Sequence, residues 1–310
     1  MRPDELTLVC ALHNRSEAHD GVRRVLEVDE LAEELDELSW DDDTRVAELD
    51  GALAGYAYTM LLPSETGWER AYVFGEVDPV HRDRGVGRAL LAWGVERGAD
   101  QLRTTGRDLP KYLRVDSYDY IVSAHRLYAR LGFTPVRWFE ELLRPLTDLP
   151  DLRQVQGVSI VPWSEDREAE ALEVKNASFA DHWGSTPTTE DAWQRQLHGY
   201  GSRSDLSFLA VEDATNQVVG VCVNHRYESD DELLGRKDGW IMTLGTLQEW
   251  RGRGVASALV IRSLHAFAEA GLSHASIGVD ADSPSGANLL YRRLGFEPVQ
   301  RSITHQIEVR

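Results

Sequence analysis

The chain has 310 residues, 42% of them hydrophobic, with nine Trp and a formal net charge of −19. That length suits two domains, and so acidic a balance argues against a nucleic-acid partner, because phosphate contacts need a basic face. No apolar run is long enough to cross a membrane, and the start lacks an apolar core behind a basic cluster, so a cytoplasmic protein is expected. Cys10 and Cys222 lie far apart in strand-like apolar runs and read as small core residues, neither a disulfide nor a metal pair; no metal is expected.

In chain order, residues 6–12 ("LTLVCAL") alternate like a strand, and the acidic stretch 15–38 with spaced Val and Leu reads as one or two helices. Within it, 27–38 ("EVDELAEELDEL") reads as a solvated helix face; attraction of a cationic acceptor is the alternative. Residues 45–62 read as a hairpin turning at Asp50-Gly51. Strands at 71–77 and 112–117 flank a helix that starts near Val86, and a further helix stops at Leu131-Gly132 before a strand from Phe133. The polar, Pro-containing stretch 146–157 reads as a linker between domains at 1–145 and 158–310. The second half repeats the order: strand 158–162, helices within 164–198, strands at 206–212, 217–227 and 239–247, helix 255–270, strand 274–280, helix 285–294 and strand 296–309. Each half is therefore α/β, a mixed and mostly antiparallel sheet flanked by helices.

Two echoes support the duplication. "RDRGVGRALL" (82–91) returns as "RGRGVASALV" (251–260), and "LYARLGFTPV" (127–136) returns as "LYRRLGFEPV" (290–299). In each half a strand ends, a Gly-rich turn follows and a helix begins, which points free backbone N–H groups and the positive helix end at one place. Arg82, Arg84 and Arg88 in one copy, and Arg251 and Arg253 in the other, add charge. That chemistry suits a pyrophosphate. The turn lacks the Lys-Ser/Thr of a Walker loop and the early-chain context of a dinucleotide fold.

The combination of the R-x-x-G-x-G/A turn with "NLLYRRLGF" (288–296) resembles the GCN5-related N-acetyltransferases, the GNAT superfamily, in a tandem layout. The resemblance implies two tandem GNAT-type domains and acetyl-CoA as acyl donor. It implies that the backbone of Thr246 and Leu247 pairs with the pantetheine arm. The amides of Arg251, Gly252, Arg253, Gly254, Val255 and Ala256 would hold the pyrophosphate, with Ser257 opening the helix. Asn288 would contact the cofactor arm and Tyr291 would face the sulfur. In the first copy the matching positions are Glu76, Val77, Arg82, Asp83, Arg84, Gly85, Val86, Gly87, Arg88, His125 and Tyr128, with His125 departing from the usual Asn.

Transfer to an amine needs a neutral nucleophile, a polarised carbonyl and a proton for the departing thiolate. Tyr291, or Tyr128 in the first copy, is the candidate donor; the alternative for Tyr291 is packing beneath the Leu294-Gly295-Phe296 turn. Glu76 is a candidate base, whereas its counterpart Gly245 cannot act. Phe179, Asp181, His182 and Trp183 are expected to line an acceptor pocket, with His182 or Asp181 helping proton removal. On that ground residues 158–310 are expected to carry the chemistry and 1–145 to be structural or regulatory. The expected partner is a small-molecule amine, with no nucleic acid or membrane, for a monomer or homodimer. A non-catalytic acyl-CoA sensor or scaffold, and a protein-modifying acetyltransferase, remain the alternatives.

Overall fold

The computed structural model describes residues 1–62, 64, 67–282 and 287–310. They form two compact units, Met1–Trp138 with Arg301–Arg310, and Phe139–Gln300.

The first unit opens with helices α1 (Leu6–Asp20), α2 (Val28–Leu35) and the short α3 (Trp40–Asp43). The alternation at 6–12 is therefore helical, not extended. Leu6, Val9 and Cys10 share one helix face with the fully buried Ser16, and this spacing fits a helix as well as a strand. Cys10 lies in α1, and its Sγ donates to Leu26 O at 2.8 Å. Strands β1 (Thr44–Leu49) and β2 (Ala52–Leu62) form the expected hairpin, with Asp50 and Gly51 at φ 56° and 77° as a two-residue turn of this hand requires. β3 (Glu69–Val77), α4 (Val86–Thr104), β4 (Lys111–Tyr118) and α5 (Val122–Arg130) follow, and β5 (Thr134–Pro145) leads out of the unit. α4 lies on the sheet through Gly94 and Gly98, where any Cβ would stand within 2.4 Å of Val73 or Leu113 side chains.

The second unit contains β6 (Val158–Pro162), α6 (Glu168–Phe179), α7 (Glu190–His198), β7 (Phe208–Glu212) and β8 (Val218–His225). It continues with α8 (Asp231–Leu234), β9 (Asp238–Thr246), α9 (Val255–Glu269), β10 (His274–Asp280) and α10 (Ala287–Arg293), and the chain ends in β11 (Glu297–Val309). The expected start of the α10 helix at 285 lies outside the described residues. Its core gathers Val255, Leu259, Leu264 and Phe267 of α9 against Ile241, Ile277 and Phe296.

The sheets follow one plan. In the first unit β1, β2 and β3 pair antiparallel, β3 pairs parallel with β4, and β4 pairs antiparallel with residues 302–309 of β11. In the second, β6, β7, β8 and β9 pair antiparallel, β9 pairs parallel with β10, and β10 pairs antiparallel with residues 139–145 of β5. Each sheet is thus closed by the terminal strand of the other sequence copy. The division at 145 and 158 drawn from sequence therefore differs from the compact units: 139–145 and the 146–157 stretch belong to the second, and 301–310 to the first. Both strands are long and have similar starts ("FTPV", "FEPV"), so the sequence does not say which sheet each closes.

Candidate active site

The parallel pair in each unit opens like a wedge. β3 and β4 pair only from Glu69 to Tyr72 against Lys111 to Arg114. β9 and β10 pair only from Asp238 to Ile241 against His274 to Ile277. Beyond these points β3 runs on to Val77 and β9 to Thr246, each with one edge released from its parallel neighbour. An extended amide-bearing chain can lie against such an edge. Leu247 cannot serve it as expected, because its N–H donates to Val219 O at 3.0 Å and its carbonyl accepts from Trp250 N at 2.9 Å.

The turn after each wedge is built alike. Asp83 and Gly85 have φ 60° and 89°; Gly252 and Gly254 have φ 76° and 94°. Left-handed residues placed alternately curl the main chain so that successive N–H groups face inward. The amides of 83–88 and of 252–257 make no hydrogen bond among the described residues. Six free donors at a helix N-terminus fit a pyrophosphate, and in the first unit the exposed, unpaired Arg88 stands beside them. The other arginines are engaged elsewhere. Arg82 holds Asp20 (2.5 and 2.9 Å), Ser16 Oγ (2.7 Å) and Val77 O (3.3 Å), and Arg84 holds Asp50 at 2.9 Å. Arg251 holds Asp181 (2.6 and 3.1 Å), Ser178 O (2.8 Å) and Thr246 O (3.4 Å), and Arg253 lies 4.6 Å over the Trp250 ring. The turns differ in what covers them. A Cβ at Gly85 would meet nothing within 4 Å, whereas one at Gly254 would stand 2.7 Å from the Arg153 Nε.

On the far side of the wedge, His125 and Asn288 do the same work. The His125 Nε2–H donates to Tyr118 O at 2.9 Å; Asn288 Nδ2 donates to Ala281 O at 3.0 Å and Asp280 O at 3.1 Å. Each ties its helix to the end of the preceding strand. Each then keeps one buried acceptor without a partner among the described residues, His125 Nδ1 and Asn288 Oδ1. An orphaned buried acceptor is costly unless a ligand donor meets it. His125 thus keeps both features of Asn288, the tie to the strand end and the orphaned acceptor.

The two units part at the acceptor side. In the first, a cleft of about 1060 Å³ brings together Glu76, Tyr128, Arg88 and the carboxylates Glu17 and Glu34. Ser16 Oγ donates to Glu76 Oε2 at 2.6 Å, and burial pushes the Glu76 carboxyl above its usual range. The Tyr128 hydroxyl donates to Asp116 O at 3.1 Å, and burial raises this phenol too. In the second unit Gly245 takes the place of Glu76, and α6 presses onto it: a Cβ there would stand 3.1 Å from Ser178 Cβ and 3.4 Å from the Phe179 ring. His182 packs on Phe179 at 4.7 Å with its pKa lowered by burial. Asp181 is spent on Arg251, which holds its carboxyl below the usual range, and Trp183 is half-buried. Tyr291 is 5% exposed and edge-on to Phe296 at 5.9 Å, and its hydroxyl makes no hydrogen bond among the described residues.

Residues 169–296 match a family described as "Acetyltransferase (GNAT) family", and residues 40–135 match "Acetyltransferase (GNAT) domain". Both halves belong to the GNAT acetyltransferases. The GNAT chain is 29% identical over 298 residues to a protein named mycothiol acetyltransferase from Mycolicibacterium smegmatis, covering 93% of this chain and 90% of that one. It is 29% identical over 311 residues to another of that name from Thermomonospora curvata, covering 97% and 93%. A solved GCN5-related N-acetyltransferase from Sphaerobacter thermophilus superposes with a TM-score of 0.78 at 25% identity, over 100% of this chain and 94% of that one. A tandem GNAT protein from the clavulanic acid pathway gives 0.68 at 18%, over 99% and 96%, and shares the fold. The chain is accordingly an N-acetyltransferase of tandem type. Among the described residues no helix is long and apolar enough to cross a membrane, and no cluster could hold a metal.

Seen as a GNAT, the chain places the sequence-derived candidates unevenly. Glu76, Val77, Asp83, Gly85, Gly87, Arg88 and Tyr128 line one cleft. Arg82 and Arg251, expected beside phosphate, are spent on carboxylates, and Asp181 is one of these partners instead of a pocket residue. Sequence reasoning missed Ser16, Glu17 and Arg153, and met Glu34 only within the acidic segment 27–38. Ser16 left a trace too: both Ser16–Asp20 and Ser178–Asp181 stand near a helix end before an arginine of the repeated turn.

Proposed function

We propose that the chain moves an acetyl group from acetyl-CoA to the primary amine of a small molecule, and that the first unit does so. The observation that carries this reading is the single cleft in which Glu76, Tyr128 and the uncovered Gly85 turn meet. The second unit has a glycine for the carboxylate, an arginine over its turn, and Phe179 and Ser178 where an acceptor would enter. This reverses the weighting of the two halves drawn from sequence.

Acetyl-CoA supplies the activated acetyl thioester. The amides of 83–88 and Arg88 hold its phosphates, and the free edge of β3 orients the arm. An amine arrives as its ammonium, and the Glu76 carboxylate takes that proton. Its raised pKa brings it nearer to that of the ammonium, which helps the transfer. The neutral amine nitrogen then bonds to the acetyl carbon as the C–S bond breaks, and the second proton that the nitrogen sheds replaces the one that Tyr128 gives to the leaving sulfur. Tyr128 donates a hydrogen bond or its proton to the leaving sulfur; a phenol raised by burial returns readily to its protonated form. The carboxylates Glu17 and Glu34 in the cleft favour a cationic acceptor, so Glu34 of the acidic helix faces the site and not only solvent. The names of the relatives support a small-molecule acceptor.

The test is thiol release across an amine panel with wild type, Glu76→Gln and Tyr128→Phe. Loss in both variants with unchanged CoA affinity supports the reading; wild-type rates in both overturn it.

A further inference from the structure

We infer that Arg82 and Ser16 form a positioning pair for Glu76, so that the arginine at the mouth of the phosphate turn serves the base and not the pyrophosphate. This rests on the reading of the first unit as the acetyl-transfer site.

The donors of Arg82 are spent inward. Its guanidinium meets both Asp20 oxygens at 2.5 and 2.9 Å, Val77 O at 3.3 Å and Ser16 Oγ at 2.7 Å. A guanidinium only donates, so the Ser16 hydroxyl must accept from it. The one Ser16 proton is then free for Glu76 Oε2 at 2.6 Å, a far better partner than Val77 O at 3.4 Å. Ser16 is fully buried, which fixes the direction of this relay. Among the described residues Glu76 Oε1 makes no hydrogen bond, so the pair pins one carboxylate oxygen and leaves the other for the amine.

The second unit keeps part of this arrangement. Arg251 grips Asp181 and Thr246 O as Arg82 grips Asp20 and Val77 O, and its Nη2 reaches Ser178 O at 2.8 Å. The Ser178 hydroxyl is buried without a partner among the described residues and lies 3.2 Å from where a side chain on Gly245 would begin. Arginine, aspartate and serine recur there, but the carboxylate is missing, and Arg251 meets the serine's main-chain carbonyl and not its hydroxyl.

The groups that face Glu76 are His13, Ser16 and Glu17 from α1, Tyr56 from β2, Arg82 from the turn and Tyr128 from α5. Among them Ser16, His13 and Arg82 favour the charged carboxylate and Glu17 opposes it. Removing the serine hydroxyl therefore raises the Glu76 protonation midpoint.

The experiment uses Ser16→Ala, Ser16→Thr and Arg82→Gln in the full chain, with Arg82→Lys where the glutamine variant does not fold. Infrared difference spectra against Glu76→Gln give the Glu76 midpoint in ligand-free protein, and calorimetry gives CoA affinity. The inference expects a higher midpoint in Ser16→Ala and Arg82→Gln, and an acid limb of kcat/KM moved to higher pH. It expects kcat about tenfold lower at neutral pH, CoA affinity within about threefold of wild type, and recovery in Ser16→Thr. An unmoved midpoint in folded Ser16→Ala overturns it. So does Arg82→Gln that loses CoA affinity while the limb stays, which would make Arg82 a phosphate ligand. Wild-type turnover in Glu76→Gln would instead overturn the reading of the site, and the ligand-free midpoint would still decide the pair.

Discussion

The two units share a wedge, a turn whose six amides are free among the described residues and a helix pinned to a strand end, but the first carries Glu76, which lines a cleft, where the second carries Gly245. The difference lies in what surrounds the shared frame. In the first unit Ser16, near the end of α1, bonds to Glu76; in the second, α6 ends with Ser178 and Phe179 packed on Gly245. In the proposed reading the duplicated turn marks where a cofactor lies, and the first helix of each unit decides whether an acceptor reaches it.

The sharpest way to break this comparison is to remove the base. Glu76→Gln should cost about 10²–10⁴-fold in kcat with little change in CoA affinity. A steady-state assay at saturating donor checks it, and a loss below threefold would deny Glu76 its role. Next come the turns. Gly85→Glu puts a side chain at φ 89° and a negative charge at the phosphate site, and should lower CoA affinity and turnover by roughly 100-fold or more. Gly254→Glu meets Arg153 instead and should leave turnover within about twofold. Equal losses of turnover in the two variants would erase the distinction.

The pH profile refines the same point. A base whose folded pKa is raised loses its charge already above the ordinary carboxylate range. The kcat/KM of the wild type should therefore fall with acid from a point above that range, and the residual activity of Glu76→Gln should lack this limb. A limb that persists unchanged would assign it to another group, such as His13. The smallest expected effect is that of Arg153→Ala. It lies on the unit without the carboxylate, and turnover should change by less than about twofold. A tenfold drop would give the second unit a share in the chemistry.

Much of the frame could be read from the sequence because its signals are local. The Asp50-Gly51 hairpin, the Gly-rich turns and the strand at 274–280 each follow from turn chemistry or alternation within a few residues. Residues 6–12 failed because Leu-Thr-Leu-Val-Cys-Ala-Leu satisfies both periods, and packing against β2 and α2 selects the helix. The exchange of β5 and β11 left no trace, since two strands with similar starts do not say which sheet each closes. At the site, Glu76 and Tyr128 were legible as types at a strand end and on a repeated helix. The roles of Arg82 and Asp181 were not, because a charge near a turn reads as a phosphate contact until its carboxylate partner is seen. The proposed weighting of the halves departs from the sequence reading because an aromatic segment at 176–193 looks like a pocket wall whether it lines a cavity or fills one.

Tyr128→Phe and Tyr291→Phe, compared on the same amine at saturating acetyl-CoA, test the placement of the chemistry most directly. Tyr128 lines the cleft and Tyr291 is buried against Phe296 and Cys222. The account predicts a loss of about 10–10³-fold in kcat for Tyr128→Phe and less than about twofold for Tyr291→Phe. The reverse pattern, with Tyr291→Phe inactive and Tyr128→Phe at the wild-type rate, would contradict it and return the chemistry to the second unit.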